Sequence, residues 1–135
     1  MKTALRVLDS YSVIAYLENE GGAKTMIELF KQARDRGEDL LMSVINWGEV
    51  YYITRRELGA ERAEEVLGLI GSLPIELIDA DRRLAKAAAE FKSRYKMSYA
   101  DCFAAALAKM RSVEVVTGDP EFQQVEKEVR IFWID

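Results

Sequence analysis

With 135 residues, half of them hydrophobic and 31% charged, the chain has the composition of an ordinary folded protein and the length to bury a full core without staples. It contains no histidine and one cysteine, which excludes Ser-His-Asp and Cys-His catalysis, histidine general bases, nearly every zinc site and an internal disulfide. A formal charge of -4 argues against a generic nucleic-acid binder, although a cluster of catalytic acids would mask a basic face in that total.

Ala4 to Leu8 reads as a short, mostly apolar strand. Asp9 and Ser10 follow where it ends, and a helix then carries Val13, Ile14 and Leu17 before Glu18 to Gly22 closes it with turn chemistry. Asp9 thus stands at the carboxyl end of a strand and just before a helix, where it is either a helix cap or part of a ligand site. Lys24 to Arg36 is a second helix, and Leu40 to Ser43 a second strand. From Val44 a helix runs to Leu58-Gly59 and carries Glu49 among Trp47, Tyr51 and Tyr52. Local evidence favours Glu49 as a first-turn acid on the solvated side, with an inward carboxylate as the alternative.

Ala60 to Leu73 is an amphipathic helix ended by Pro74, Ile75 to Ile78 a strand, and Arg82 to Tyr95 a helix entered through Asp79 and Asp81, which read as turn and capping residues. Lys92, Arg94, Tyr95 and Lys96 then make a small basic aromatic cluster able to grip phosphates or simply to face solvent. The helix from Tyr99 to Met110 places Phe103, Ala106, Leu107 and Met110 on one apolar stripe, with Asp101 beside it. A carboxylate facing inward is costly unless paired, hydrogen-bonded or on a metal; the local alternative is that Asp101 only complements the helix dipole near the cap Ser98. Cys102 beside it reads as a buried, inert thiol. Val113 to Thr117 is a strand running into Gly118-Asp119-Pro120, so Asp119 repeats the position of Asp9, with Gly118 expected to allow a tight bend. Gln123 to Glu128 reads as a short helix and Arg130 to Ile134 as a last strand.

This alternation predicts one domain over residues 1–135, a three-layer α/β fold with a mainly parallel, roughly five-stranded sheet. If the strands ending at Leu8 and Thr117 are neighbours, right-handed crossovers bring Asp9 and Asp119 to one edge. Asp101 and Glu49 join them only if their helices begin there. Carboxylates gathered at one place repel, and without histidine the obvious compensation is a hard divalent cation, Mg2+ or Mn2+. No apolar run reaches membrane-spanning length, the start reads as neither a signal nor a transit peptide, and the single cysteine suits a reducing compartment, so a cytoplasmic protein is expected.

Four segments in order resemble the acidic motifs of the PIN-domain family, and closely those of VapC-type toxins from prokaryotic toxin–antitoxin pairs. They are Leu8-Asp9-Ser10-Tyr11 with Val13 to Leu17, Val44 to Val50, Ser98 to Ala108, and Val116-Thr117-Gly118-Asp119-Pro120-Glu121-Phe122. The resemblance spans the whole length, and none of the four acidic positions departs from the pattern. It implies a ribonuclease whose metal site is Asp9, Glu49, Asp101 and Asp119, using one or two Mg2+ or Mn2+ ions to activate water against an RNA phosphodiester. It also implies a small VapB-type antitoxin and a homodimer, for which Trp47, Tyr51 and Tyr52 are candidate surface residues. Ser10 and Thr117 are candidates to hydrogen-bond a carboxylate or the attacking water, and Arg55, Arg56, Lys92, Arg94 and Lys96 to contact phosphates. The alternative is a PIN-like module that holds metal, RNA or a peptide without turnover. A phosphate-accepting α/β domain would need paired acids after the first strand, and Asp9-Ser10-Tyr11 does not supply them.

Overall fold

The computed structural model describes residues 6–135. Strands β1 (Arg6–Leu8), β2 (Leu40–Ser43), β3 (Ile75–Ile78), β4 (Glu114–Thr117) and β5 (Ile131–Trp133) form one sheet, ordered β3-β2-β1-β4-β5 and parallel throughout. Helices α1 (Ser10–Leu17), α2 (Ala23–Arg36), α3 (Val44–Leu58), α4 (Ala60–Gly71), α5 (Arg82–Arg94) and α6 (Tyr99–Arg111) alternate with the strands. The expected α/β fold with a parallel sheet is therefore observed; Ala4 and Leu5 of the first expected strand lie outside the described residues.

A parallel sheet is covered on both faces, so each strand needs apolar side chains pointing both ways. Val7, Leu41 and Val115 point into one core with Leu84, Phe91 and Phe103 of α5 and α6. Their neighbours Leu8, Leu40, Met42 and Val116 point into the other, against Val13, Met26, Phe30 and Val66 of α1, α2 and α4. Within α6 every residue from Asp101 to Ala108 is buried, because the alanines let the helix sink between its neighbours and the sheet. Met110, expected on its apolar stripe, is 39% exposed: the helix is enclosed along its middle turns and emerges before it ends. The segment expected as a helix from Gln123 to Glu128 is instead a 3-10 helix over Pro120–Val125 followed by a turn. Pro120 fixes the first turn of that element, three residues earlier than the expected start.

Strand β1 is central. The chain lays β2 and β3 to one side of it, then crosses to lay β4 and β5 on the other. The carboxyl ends of β1 and β4 thus flank the point where the winding reverses, the crevice where open α/β sheets bind ligands. Helices α1 and α3 start from that edge, and α6, which leads back to the start of β4, begins there too. Phe122, fully buried against the α5–α6 core, anchors the 3-10 helix that leaves the crevice. Truncating it to alanine is expected to cost about 3–5 kcal/mol in urea unfolding; a loss below about 1 kcal/mol would contradict this packing.

Candidate metal centre

Asp9 is the residue immediately after β1. Its N–H donates to the Val116 carbonyl of β4 at 3.4 Å, and its Oδ1 accepts from the Ser12 N–H at 2.8 Å, capping α1. The side chain is fully buried, and its Oδ2 has no hydrogen-bond partner among the described residues. Asp119 repeats the arrangement after β4: its N–H donates to Thr117 Oγ1 at 3.0 Å, and its Oδ1 accepts from the Glu121 N–H at 2.9 Å. Capping engages one oxygen of each carboxylate, so capping and ligand binding are compatible roles. Gly118 serves this turn by its size rather than by a special backbone angle: a Cβ there would overlap the Tyr11 ring and the Asp135 carboxylate. Asp101 sits in the first turn of α6, where its N–H donates to the capping Ser98 Oγ at 3.1 Å, and it is 8% exposed.

Glu49 is half-buried. The helix begins at Val44, which puts Glu49 in the second turn rather than the first, so the acid-rich character of first turns does not apply to it. Three and four residues apart, Asn46, Glu49 and Ile53 share one face of α3. Asn46 fixes that face: its Nδ2 donates to Ser10 Oγ at 3.3 Å and to the Ala100 carbonyl at 3.1 Å, while Ser10 Oγ donates to the Asn46 carbonyl at 3.2 Å. One buried amide thereby ties α3 to both α1 and α6 beside Asp101. The sequence reading gave Asn46 no role, because its function depends on a crossing of three helices. Ser10 serves this junction, and Thr117 fixes the Asp119 turn.

A cavity of about 520 Å³ opens at this edge, lined by Glu20, Glu49, Asp101, Asp119 and Glu121 together with Ser10 and Tyr11, and by no lysine or arginine among the described residues. Carboxylate oxygens of Asp101, Asp119 and Glu121 lie within 4.8 Å of one another. Glu121 was missed from sequence, although it stands two residues beyond Asp119, where the 3-10 turn brings it back over the same opening. Asp9 does not line the cavity; it lies buried behind it. Burial pushes the Asp9 carboxyl up to about 7, opposed by the Thr117 hydroxyl and by Ser12, and Asp119 adds to the rise. The Thr117 hydroxyl faces the carboxyl without making an aligned hydrogen bond to Oδ2. Burial, then the charges of Asp9, Asp119 and Glu49, push Asp101 up to about 7 as well. Clustered hard oxygens, an orphaned buried carboxylate oxygen and the absence of a lining cation together suit a divalent metal ion of the Mg2+ or Mn2+ kind.

The cations singled out from sequence stand apart from this cavity. Arg94 and Lys109 pair with Glu128 at 2.5 and 2.9 Å, the Tyr95 hydroxyl donates to the same carboxylate, and Lys92 Nζ donates to the Met97 carbonyl at 2.8 Å. Arg56 lies over the Tyr52 ring. Asp81 caps α5 by accepting from the Leu84 N–H, and Asp79 is exposed; neither reaches the cavity.

In the unfolded chain Asp9 and Asp101 ionise near 3.8, whereas in the metal-free fold they hold their protons to about 7. The native state then binds more protons than the unfolded state between those values, so their protonated forms stabilise the fold at low pH and that contribution is lost as the pH rises through about 7. Glu128, held down to about 2 by Arg94, Tyr95 and Lys109, has the opposite sign, but its contribution is complete above its ordinary 4.5. Melts of chelator-treated wild type and Asp101→Asn from pH 5 to about 8 are expected to show the variant gaining on wild type as the pH rises. A constant or shrinking difference would contradict the repulsive cluster.

Among curated proteins no sequence relative matches the chain. Solved structures do. A crystal structure of DNA-bound VapBC from Salmonella typhimurium superposes with a TM-score of 0.75 at 24% identity, covering 98% of this chain and 100% of that one. VapC20 of Mycobacterium tuberculosis, described as a sarcin-ricin loop cleaving toxin, gives 0.72 at 15% identity, covering 89% and 94%. FitAcB from Neisseria gonorrhoeae gives 0.68 at 19%, covering 96% and 98%. At such identities the likeness is one of fold. The family of PIN domains, by contrast, matches in sequence over residues 6–128, and with most of its length so covered the chain belongs to the PIN domain family.

Proposed function

We propose that the chain, acting as one domain over residues 1–135, is a VapC-type toxin: an endoribonuclease that cuts RNA phosphodiester bonds in the cytoplasm with Mg2+ or Mn2+ at the acidic cavity. The observation that carries this reading is the convergence of Asp101, Asp119 and Glu121 oxygens within 4.8 Å, backed by a buried Asp9 whose Oδ2 lacks a partner. Asp9, Glu49, Asp101 and Asp119 would hold the metal, with Glu121 as a further oxygen donor. When bound, such an ion supplies positive charge that offsets the phosphate's and acidifies an attacking water. The chain's own part is positional. Ser12 and Ser98 hold Asp9 and Asp101 at their helix starts, Thr117 holds the Asp119 turn, and Asn46 fixes the face that carries Glu49. The carboxylates Glu20 and Glu49 can accept a proton or a hydrogen bond from water in the same opening.

The fold relatives named as VapBC complexes, and the one named as a sarcin-ricin loop cleaving toxin, support an antitoxin partner and an RNA substrate. An antitoxin arginine placed against the carboxylates would neutralise them by bidentate pairing. For a homodimer surface, Tyr52 is the available aromatic of the three noted from sequence. It is 51% exposed, whereas Trp47 packs partly into the core and Tyr51 donates to Glu64 at 2.6 Å.

Asp9→Asn and Asp101→Asn are expected to abolish Mg2+-dependent cleavage of RNA, a loss of at least about a hundredfold, while circular dichroism stays native. Asparagine retains the capping oxygen that α1 needs from position 9. Full activity in either variant, or wild-type cleavage that survives chelator, would sink the assignment.

A further inference from the structure

Beside the acidic cavity lies a second, shallow and open hollow, whose wall is the segment Lys92–Ser98 joining α5 to α6. Ser98 lines both openings, so the two adjoin. Their charges are opposite: among the described residues the first is lined by five carboxylates and no cation, the second by Lys92, Arg94 and Lys96 and no carboxylate. Such a pair of sites suits a polyanion that needs metal at one phosphate and fixed cations at the next.

We propose that this hollow is a subsite for single-stranded RNA, gripping the sugar–phosphate backbone beside the bond to be cut; the proposal rests on the ribonuclease reading of the acidic cavity. The segment is built to hold a shape. Gln124 clamps the Lys96 backbone from both sides, its Oε1 accepting from the N–H and its Nε2 donating to the carbonyl, each at 3.1 Å. Glu128 ties down Arg94 and Tyr95, and Lys92 Nζ braces the loop through the Met97 carbonyl. Arg94 is thereby laid over the Phe91 and Tyr95 rings, 5.4 and 5.0 Å from their centroids, with both terminal nitrogens donating to Glu128, so it shapes the rim and adds positive charge there. Lys96 differs from the other two. Exposed, with its backbone clamped, its ammonium makes no hydrogen bond or ion pair among the described residues, so it is the charge left over for a ligand. The same bracing carries into catalysis, because the segment ends at Ser98, the cap that receives the Asp101 N–H. RNA is favoured over an acidic peptide because, on the ribonuclease reading, the adjoining cavity already holds a strand whose next phosphates reach this wall.

The test uses a fluorescently labelled single-stranded RNA and the full chain carrying Asp101→Asn, so that substrate stays uncut in Mg2+. Adding Lys96→Ala is expected to weaken binding about fivefold and to lower the salt slope by about 0.7, one phosphate contact on a single strand. Lys96→Arg should restore both, and Lys31→Ala on α2 should change neither. Replacing part of the sodium chloride with inorganic phosphate at equal ionic strength should not displace the RNA, since a strand and not a free anion is the ligand. In the chain with Asp101 intact, Lys96→Ala should raise KM about fivefold at unchanged kcat, as lost uniform binding does. Unchanged affinity and slope in Lys96→Ala overturn the subsite and leave the hollow to an acidic peptide. Loss equal to that of Lys31→Ala overturns it as mere bulk charge, and no RNA binding by the Asp101→Asn chain overturns it outright. If binding responds as expected but the wild type never cuts RNA, the ribonuclease reading fails and the RNA subsite stands.

Discussion

Ionising carboxylates side by side, one of them buried behind the rest, is the constraint on which the rest of this structure turns. Nothing in a parallel sheet requires it, and in a fold stabilised by only several kcal/mol it is a large expense. Asp9 gives up all contact with water and leaves one oxygen unpartnered, while Asp101 feels three neighbouring acids. The fold tolerates this because each acid is held through a separate, local attachment. Caps on α1, on α6 and on the 3-10 helix fix three of them, and the Asn46 junction fixes the helix that carries the fourth. Helix capping and metal binding make opposite demands on a carboxylate's position only when they need the same oxygen, and here the cap engages one of two.

The topology explains why these attachments meet. A central β1 with neighbours laid down in opposite directions makes one crevice, and every element that feeds it begins or ends on the same edge. The buried face of each strand then has a second use. Val7 and Leu8, pointing into different cores, pair with Val115 and Val116 and so place the Asp9 N–H on the Val116 carbonyl, from which β4 runs on through Thr117 and Gly118 to Asp119. Disturbing either core would move carboxylates that are not part of it.

Much of the fold was legible because strands buried on both faces are short, continuous apolar runs, and these stand out between amphipathic helices. Asp9 and Asp119 could be seen at strand ends for the same reason. What was not legible depended on where helices start or how they cross. Local evidence favours Glu49 as a first-turn acid on the solvated side, yet in a helix that starts at Val44, as expected, it stands in the second turn and shares a face with Asn46 and Ile53. Asn46 and Glu121 carry no local mark of their placement: one acts across three helices, the other through a 3-10 turn that starts before the helix expected at Gln123. Gly118 was noticed for backbone freedom when the need was room beside Tyr11. The basic cluster of Lys92, Arg94 and Lys96 was visible, but not that Glu128 and Gln124 hold it in shape at the border of the acidic cavity.

The claim that the clustered acids form one metal centre is tested most directly by crystals grown with Mn2+ and measured at its absorption edge. An anomalous peak between the carboxylates of Asp101 and Asp119 is the expected result. The accompanying density should show Asp9 Oδ2 bonded to the ion or to a water on it. Full-occupancy Mn2+ elsewhere on the chain with none in this cavity would contradict the account.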